Sequence, residues 1–249
     1  RLDHVAQMQH ANTVRNVLDH GEVVRDEQIR AAINGVGSKE HLETAWKLAE
    51  QSLTLYRNEN QAFPINAGQG EKTLILFANN SQGRNGSAMH AVQILQEQGI
   101  IQDEDASQIS MMAHKGNNTQ SCFNAAKAAD HVILVYRTYA EDCLDARTID
   151  GFSIGLFEQI IEQRHKDGKT VIFISAQLPY DAARFSEADA VLLTYGSSYM
   201  PELTEDPYAG QMPNLPAALC ACFGMSEVSG KLPVKLPLLD ENGRIIKGS

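Results

Sequence analysis

From about residue 70 the chain alternates short, uniformly apolar runs with longer stretches of helical periodicity, and few folds accept that pattern. The runs are Thr73 to Ala78, His131 to Tyr136, Thr170 to Ser175 and Ala190 to Thr194, all rich in Val, Ile and Leu. A strand that faces water on one side shows polar residues at every second position. These runs do not, so each must be covered on both faces, the condition of a parallel sheet between two helical layers. Helical patterns fall between them at about Ser87 to Gln98, Thr119 to Ala129 and Ile149 to Lys166, the last punctuated by Asp167-Gly168. The expectation is an α/β fold, a mainly parallel-sheet α/β sandwich with flavodoxin-like layering. Ile109 to Met112 is a weaker strand candidate, and Leu232 to Pro237 reads as an edge or terminal extended segment, because its prolines cannot donate to a ladder.

Residues 1 to about 57 read as helical throughout, with Val5, Met8, Val14, Val17 and Leu18 near helical spacing. Ser38 is placed to cap the later stretch carrying Leu42, Trp46, Leu48, Ala49 and Leu53 as one apolar stripe, without a capping box because His41 stands where Glu or Gln would be needed. The predicted division is therefore a helical interdomain brace over 1–66 and the sandwich domain over 67–249. The chain begins at Arg1 with no apolar signal-like segment, and reads as cut from something longer, so export is left open.

Composition removes several classes of function. With 21 Lys and Arg against 31 Asp and Glu the formal charge is −10, which repels a phosphate backbone and argues against nucleic acid as a partner. No apolar stretch is long enough for a membrane span. The 4 cysteines, Cys122, Cys143, Cys220 and Cys222, have neither C-x-x-C spacing nor the second Cys/His cluster that zinc requires. They read as free structural thiols, which lean towards a reducing compartment such as the cytoplasm, with an extracellular or cell-wall setting as the alternative. No metal and no cofactor is expected.

Chemistry-bearing residues concentrate after the strands. The polar loop from Asn79 and Asn80 through Arg84 to Ser87 opens a helix, where backbone N–H groups can cradle an anion, although it has neither a Walker lysine nor G-x-G-x-x-G. The loop Arg137 to Arg147, after the run His131 to Tyr136, holds two arginines and several carboxylates at the position where open α/β sheets bind ligands. Within it Glu141 is the candidate proton donor, the alternative being a solvated charged loop. Cys143 has no histidine close in sequence to activate it, His114 is lone, and no G-x-S-x-G elbow exists. Asn79, Asn80, Arg84, Arg137 and Arg147 are thus the candidate substrate-binding or interface rim.

The carboxyl-terminal third carries the most specific pattern. Val171 to Ser175, then Leu178-Pro179-Tyr180-Asp181-Ala182-Ala183, then Ala188 to Gly196, the small-residue stretch Pro216 to Phe223-Gly224, and finally Ser229-Gly230-Lys231-Leu232-Pro233-Val234-Lys235-Leu236-Pro237 together resemble the second domain of glycoside hydrolase family three. The resemblance is nearest to the two-domain β-N-acetylhexosaminidases and, with Ala49 to Asn58 similar to the interdomain stretch, spans most of the chain. Gly224 suits a helix terminus and Gly230 a turn of unusual φ.

That resemblance implies a catalytic amino-terminal β/α barrel as partner, supplying the aspartate nucleophile and, in the hexosaminidase branch, a histidine-aspartate acid/base on a K-H-F-P-G-H-G-like loop. No K-H-x-P-G-H segment occurs, and a barrel takes about 250 residues. Related β-glucosidases lend a glutamate from the second domain on a Y-x-E element. Tyr139-Ala140-Glu141 is comparable, although Tyr136-Arg137 stands in place of that pattern's Gly-Glu. The expected function is an accessory carboxyl-terminal domain of a β-N-acetylglucosaminidase-like enzyme, inactive alone. The alternatives are a self-standing carbohydrate or small-ligand binding module and, on fold analogy only, a flavodoxin-like nucleotide binder.

Overall fold

The computed structural model describes residues 38–67, 69–78, 85–196 and 213–246. Helix α1 (Lys39–Ser52) starts where Ser38 accepts from the His41 N–H at 3.4 Å, and it buries Trp46 and Ala49. Strand β1 (Thr54–Asn58) follows, then β2 (Thr73–Phe77), α2 (Asn85–Glu97), the single turn α3 (Asp103–Ala106) and β3 (Ile109–Ala113). Next come α4 (Thr119–Ala128), β4 (His131–Tyr136), two 3₁₀ turns (Glu141–Leu144 and Asp150–Ser153) and α5 (Ile154–Lys166). Strand β5 (Ile172–Ser175), the short helix α6 (Asp181–Arg184), β6 (Ala190–Leu193) and α7 (Asn214–Cys222) complete the described elements.

The six strands form one sheet in the order β1-β6-β5-β4-β2-β3, parallel except for β1, which runs antiparallel to β6. Alternate side chains serve two cores. Ile75, Phe77, Ile133, Val135, Ile172, Ile174 and Leu192 pack against one helical layer, with Ala91, Ile94 and Leu95 of α2 and Leu215 to Cys222 of α7. Leu74, Leu76, Val132, Leu134, Phe173 and Val191 face Phe157, Ile160 and Ile161 of α5, Cys122 of α4 and Phe185. The all-apolar runs are thus read correctly as two-sided burial, and the α/β sandwich is what results. Ile109–Ala113 is a strand, paired in parallel with β2 at the sheet edge.

Three local expectations are corrected. The helix ends at Ser52, not near residue 57, because Thr54–Asn58 finds a ladder partner in β6; an edge partner distant in sequence overrides the local helical reading. The pattern from Ile149 is not one helix: a 3₁₀ turn over Asp150–Ser153 precedes α5, and there the absence of a side chain on Gly151 admits the Asp145 carbonyl. Gly230 has no left-handed φ. It is required by close approach, since a Cβ would lie 2.6 Å from the Ser52 carbonyl oxygen, while its N–H donates to Leu53 O at 2.9 Å. Leu232 to Pro237 joins no ladder, as its prolines lead one to expect, and Leu232 and Leu236 rest on the α4/α5 core. Gly224 does take a left-handed φ of 79° after α7. Residues 1–37 of the helical expectation lie outside the described residues.

All four cysteines are buried and free. No helix among the described residues is long and apolar enough to cross a membrane.

Ile172 sits in β5, hydrogen-bonded on both sides by β4 and β6, with 2% of its surface exposed. Ile172→Ala should lower the unfolding free energy by roughly 2–5 kcal/mol through lost burial and the cavity left behind. Denaturant unfolding checks this, and a loss below about 1 kcal/mol would be incompatible with a central strand.

Candidate functional site at the carboxyl ends of the strands

Parallel strands deliver their following loops to one end of the sheet, and the end of β4 is the most heavily built. Tyr136, its last residue, is fully buried and its hydroxyl donates to the Cys143 carbonyl at 2.5 Å, which fixes the 3₁₀ turn Glu141–Leu144 over the strand end. Ala176 N–H donates to Tyr136 O at 2.8 Å and Leu178 N–H to Thr138 O at 3.0 Å, so the loops after β4 and β5 are laced together through main chain. That turn presents Glu141 and Asp142 to solvent while Cys143 and Leu144 point into the protein. Burial makes Cys143 a packing residue here, since an attacking thiolate needs access.

The two described basic residues of the rim, Arg137 and Arg147, are already engaged. Arg147 grips Asp145 with Nε on Oδ1 at 2.9 Å and Nη2 on Oδ2 at 2.7 Å, and Arg244 adds its Nε to the same Oδ2 at 2.9 Å. The hydrogen bonds and charge of Arg147 hold the Asp145 carboxyl below the usual range, with the more distant charge of Arg184 adding to the effect. Arg137 lays its guanidinium over the Tyr139 ring, 4.6 Å from the centroid. Asn79, Asn80 and Arg84 lie outside the described residues. The structure therefore brings Arg137, Glu141 and Arg147 onto one loop at the end of β4, with Arg137 on Tyr139, Arg147 on Asp145 and Glu141 exposed.

His114, at the end of β3, is buried, and its ring nitrogens lie 2.8 Å from Ser153 Oγ and 2.8 Å from Thr119 Oγ1. Burial lowers its pKa, so it is neutral near pH 7. The Phe152 ring stacks on it at 4.9 Å and 4°, in space left free by Gly116, whose φ is +77°. His114, which stands alone in its stretch of sequence, is thus a loop hydrogen bonder. Among the described residues no group of three or more His, Cys, Asp or Glu could hold a metal ion.

Sequence reasoning gives no chemical weight to Asp181, whose one local signal is its place as the single acid inside Pro179-Tyr180-Asp181-Ala182-Ala183. It is wholly buried at the start of α6, where its Oδ2 accepts from Thr138 Oγ1 at 3.1 Å and its Oδ1 has no hydrogen-bond partner among the described residues. Burial pushes its pKa up to about 7, against the pull of hydroxyl and main-chain donors. Through Thr138 the same carboxyl ties the start of the loop after β4 to α6. Chemically, the rim offers exposed carboxylates on one short turn, which can exchange a proton with a bound group from one side only.

A carboxyl with a folded pKa near 7 and an unfolded one near 3.8 takes up a proton on folding between those values. Its stabilising contribution is complete below about pH 4 and is lost as pH rises to about 7, a change of up to ~4 kcal/mol. Asp181→Asn, neutral at every pH, should therefore gain stability relative to the parent as pH rises from 4 to 7. Denaturant midpoints at several pH values test this, and parallel pH profiles for the two proteins would contradict it.

No family model matches the chain, and no curated protein sequence matches it. Solved structures do. A fungal multi-domain glycoside hydrolase family 3 β-N-acetylglucosaminidase aligns over 82% of this chain at 20% identity with a TM-score of 0.57, and the aligned part is 20% of that chain. A glycoside hydrolase family 3 β-N-acetylglucosaminidase from Paenibacillus sp. str. FPU-7 aligns over 80% of this chain at 15% identity with a TM-score of 0.54, and the aligned part is 33% of that chain. The chain therefore spans between a fifth and a third of the structures it matches. Its fold is that of one segment of the glycoside hydrolase family 3 β-N-acetylglucosaminidases, in agreement with the resemblance carried by its carboxyl-terminal third.

Proposed function

We propose that this chain is the accessory second domain of a β-N-acetylglucosaminidase-like glycoside hydrolase, with residues 1–66 as the interdomain brace and residues 67–249 as the sandwich. The observation that carries the reading is the coincidence of two independent features. The fold matches part of two β-N-acetylglucosaminidase chains, and the sequence ends its sandwich with Ser229-Gly230-Lys231-Leu232-Pro233-Val234-Lys235-Leu236-Pro237. In this reading the partner is a catalytic β/α barrel in the same full-length protein, the substrate is a terminal N-acetyl-β-glucosaminide, and no cofactor takes part. The rim of Asn79, Asn80, Arg84, Arg137 and Arg147 borders the barrel's sugar cleft.

Retaining hydrolysis requires a nucleophile and an acid/base on opposite sides of one bond, whereas Glu141 and Asp142 share one turn. The purified chain should therefore release no chromophore from a chromogenic N-acetyl-β-glucosaminide. Turnover that a single substitution within this chain abolishes would overturn the accessory-domain reading.

In the longer protein, Glu141→Gln separates two roles for the exposed turn. If Glu141 donates the proton, kcat/KM should fall about 100-fold or more for substrates with poor leaving groups while activated aryl glycosides are spared. Unchanged kinetics on both would assign the proton to the barrel and leave the rim as a border.

A further inference from the structure

The last described segment of the chain is itself built as a small clasp. Asp240 turns it back: its Oδ1 accepts from the N–H groups of Asn242 and Arg244 at 2.9 and 2.8 Å, and Gly243 N–H donates to Asp240 O at 2.9 Å. Leu239 and Ile245 form an isolated antiparallel bridge, and Ile246 N–H reaches Leu238 O at 2.9 Å. The Asp240 and Gly243 turn is therefore a rigid hairpin tip, and it points Arg244 at Asp145. Gly243 at that tip has a φ of 80° and carries no side chain because the Arg184 guanidinium lies against it, while the Leu144 carbonyl oxygen would stand 2.9 Å from a Cβ. The clasp thus touches both the turn that bears Glu141 and the helix α6 that bears Asp181.

We propose that the hairpin Leu238–Ile246 is an electrostatic strap, closed by Arg244 on Asp145, that holds the Glu141–Leu144 turn and the loop to Arg147 in order.

Two features make the strap reversible. Asp145 is nearly buried, yet the side chains of Arg147 and Arg244 are more than half exposed, at 57% and 52%. Ion pairs with one partner in water are weak and are screened by salt. The hairpin also stands apart from both cores: Leu238 and Ile246 are exposed, at 64% and 46%, and Leu239 and Ile245 are only half-buried. Neither hydrophobic core includes a residue of the hairpin, so the strap can open without disturbing either one. What it orders is nonetheless a dense loop, in which Asp145 O accepts from Thr148 N–H at 3.0 Å, and Thr148 Oγ1 accepts from Gly151 N–H at 3.0 Å. Release of Arg244 leaves Arg147 on Asp145 but removes the only cross-link from the hairpin tip to that carboxylate among the described residues. This inference does not depend on the family reading, since it concerns the order of the loop and not the reaction it serves.

Amide hydrogen exchange on the chain tests it directly. Arg244→Ala should speed exchange of the 141–149 amides by about 10-fold or more while the amides of β4 and β5 stay unchanged. Arg244→Lys, which keeps the charge but not the guanidinium geometry, should give an intermediate effect. Raising NaCl from about 0.05 to 1 M on the unaltered protein should move the same amides in the same direction, which decides the matter even if the alanine variant does not fold. Lys166→Ala, which removes a pair with Glu162 on the outer face of α5, should leave those amides unmoved. Unchanged rim exchange in Arg244→Ala or at high salt overturns the strap, and so does acceleration spread evenly over the sheet.

Discussion

Arg164 is a fully buried cation, and the amino-terminal end of the sheet is organised around keeping it satisfied. Its guanidinium donates to the carbonyls of Ala126, Ala129, Asp130 and Thr170, with the two shortest bonds at 2.6 Å. Burial lowers its pKa, with the charges of Asp130, Asp167 and Asp189 opposing that shift. A charge taken out of water survives only if its donors are met, and here they are met by main-chain groups from the end of α4, the lead-in to β4 and the lead-in to β5. Two of those carbonyls belong to the last turn of α4 and the residue that caps it, the negative end of the helix dipole. One side chain thereby sets the spacing between a helix and the two strands at the centre of the sheet.

With those amino ends pinned, β4 and β5 run in register, Ile133 opposite Ile172 and Tyr136 opposite Ser175. Their carboxyl ends then emerge side by side, which is what allows Thr138 to meet Asp181 and Leu178 to meet the Thr138 carbonyl. The rim is consequently not a set of independent surface loops. Its charged groups are spent largely on one another, Arg147 and Arg244 on Asp145 and Arg137 on Tyr139, and the turn between them leaves Glu141 and Asp142 to face outward. The described part of the rim is thus held together by its own ion pairs and main-chain bonds, the kind of border that the proposed function sets against a neighbouring domain.

Two-sided burial makes the sheet legible in the amino-acid sequence itself. A run such as Leu74-Ile75-Leu76-Phe77 has no polar face to offer water, so parallel strands between helical layers follow from elementary physics. The same holds for the Ser38 cap, the left-handed Gly224, the Asp167-Gly168 stop and the free, buried cysteines, each of which depends on one residue and its immediate neighbours. The carboxyl-terminal motif also points to the fold that solved structures share.

Only tertiary structure decided what depends on a partner far along the chain. Thr54–Asn58 is a strand because β6, some 130 residues later, offers it an edge; Gly230 is needed because Leu53 passes close by and not because of its own φ. Arg147 reads as available in the sequence, and no local pattern could show that Asp145 and, through it, Arg244 from 99 positions away would occupy the same node. Asp181 is the sharpest case. Its letter in the sequence is an ordinary acid, and its raised pKa exists only because the fold removes it from water and offers it neutral donors such as Thr138 in place of a cation. Periodicity and turn chemistry are properties of neighbours in sequence, whereas desolvation and long-range ion pairing are properties of neighbours in space.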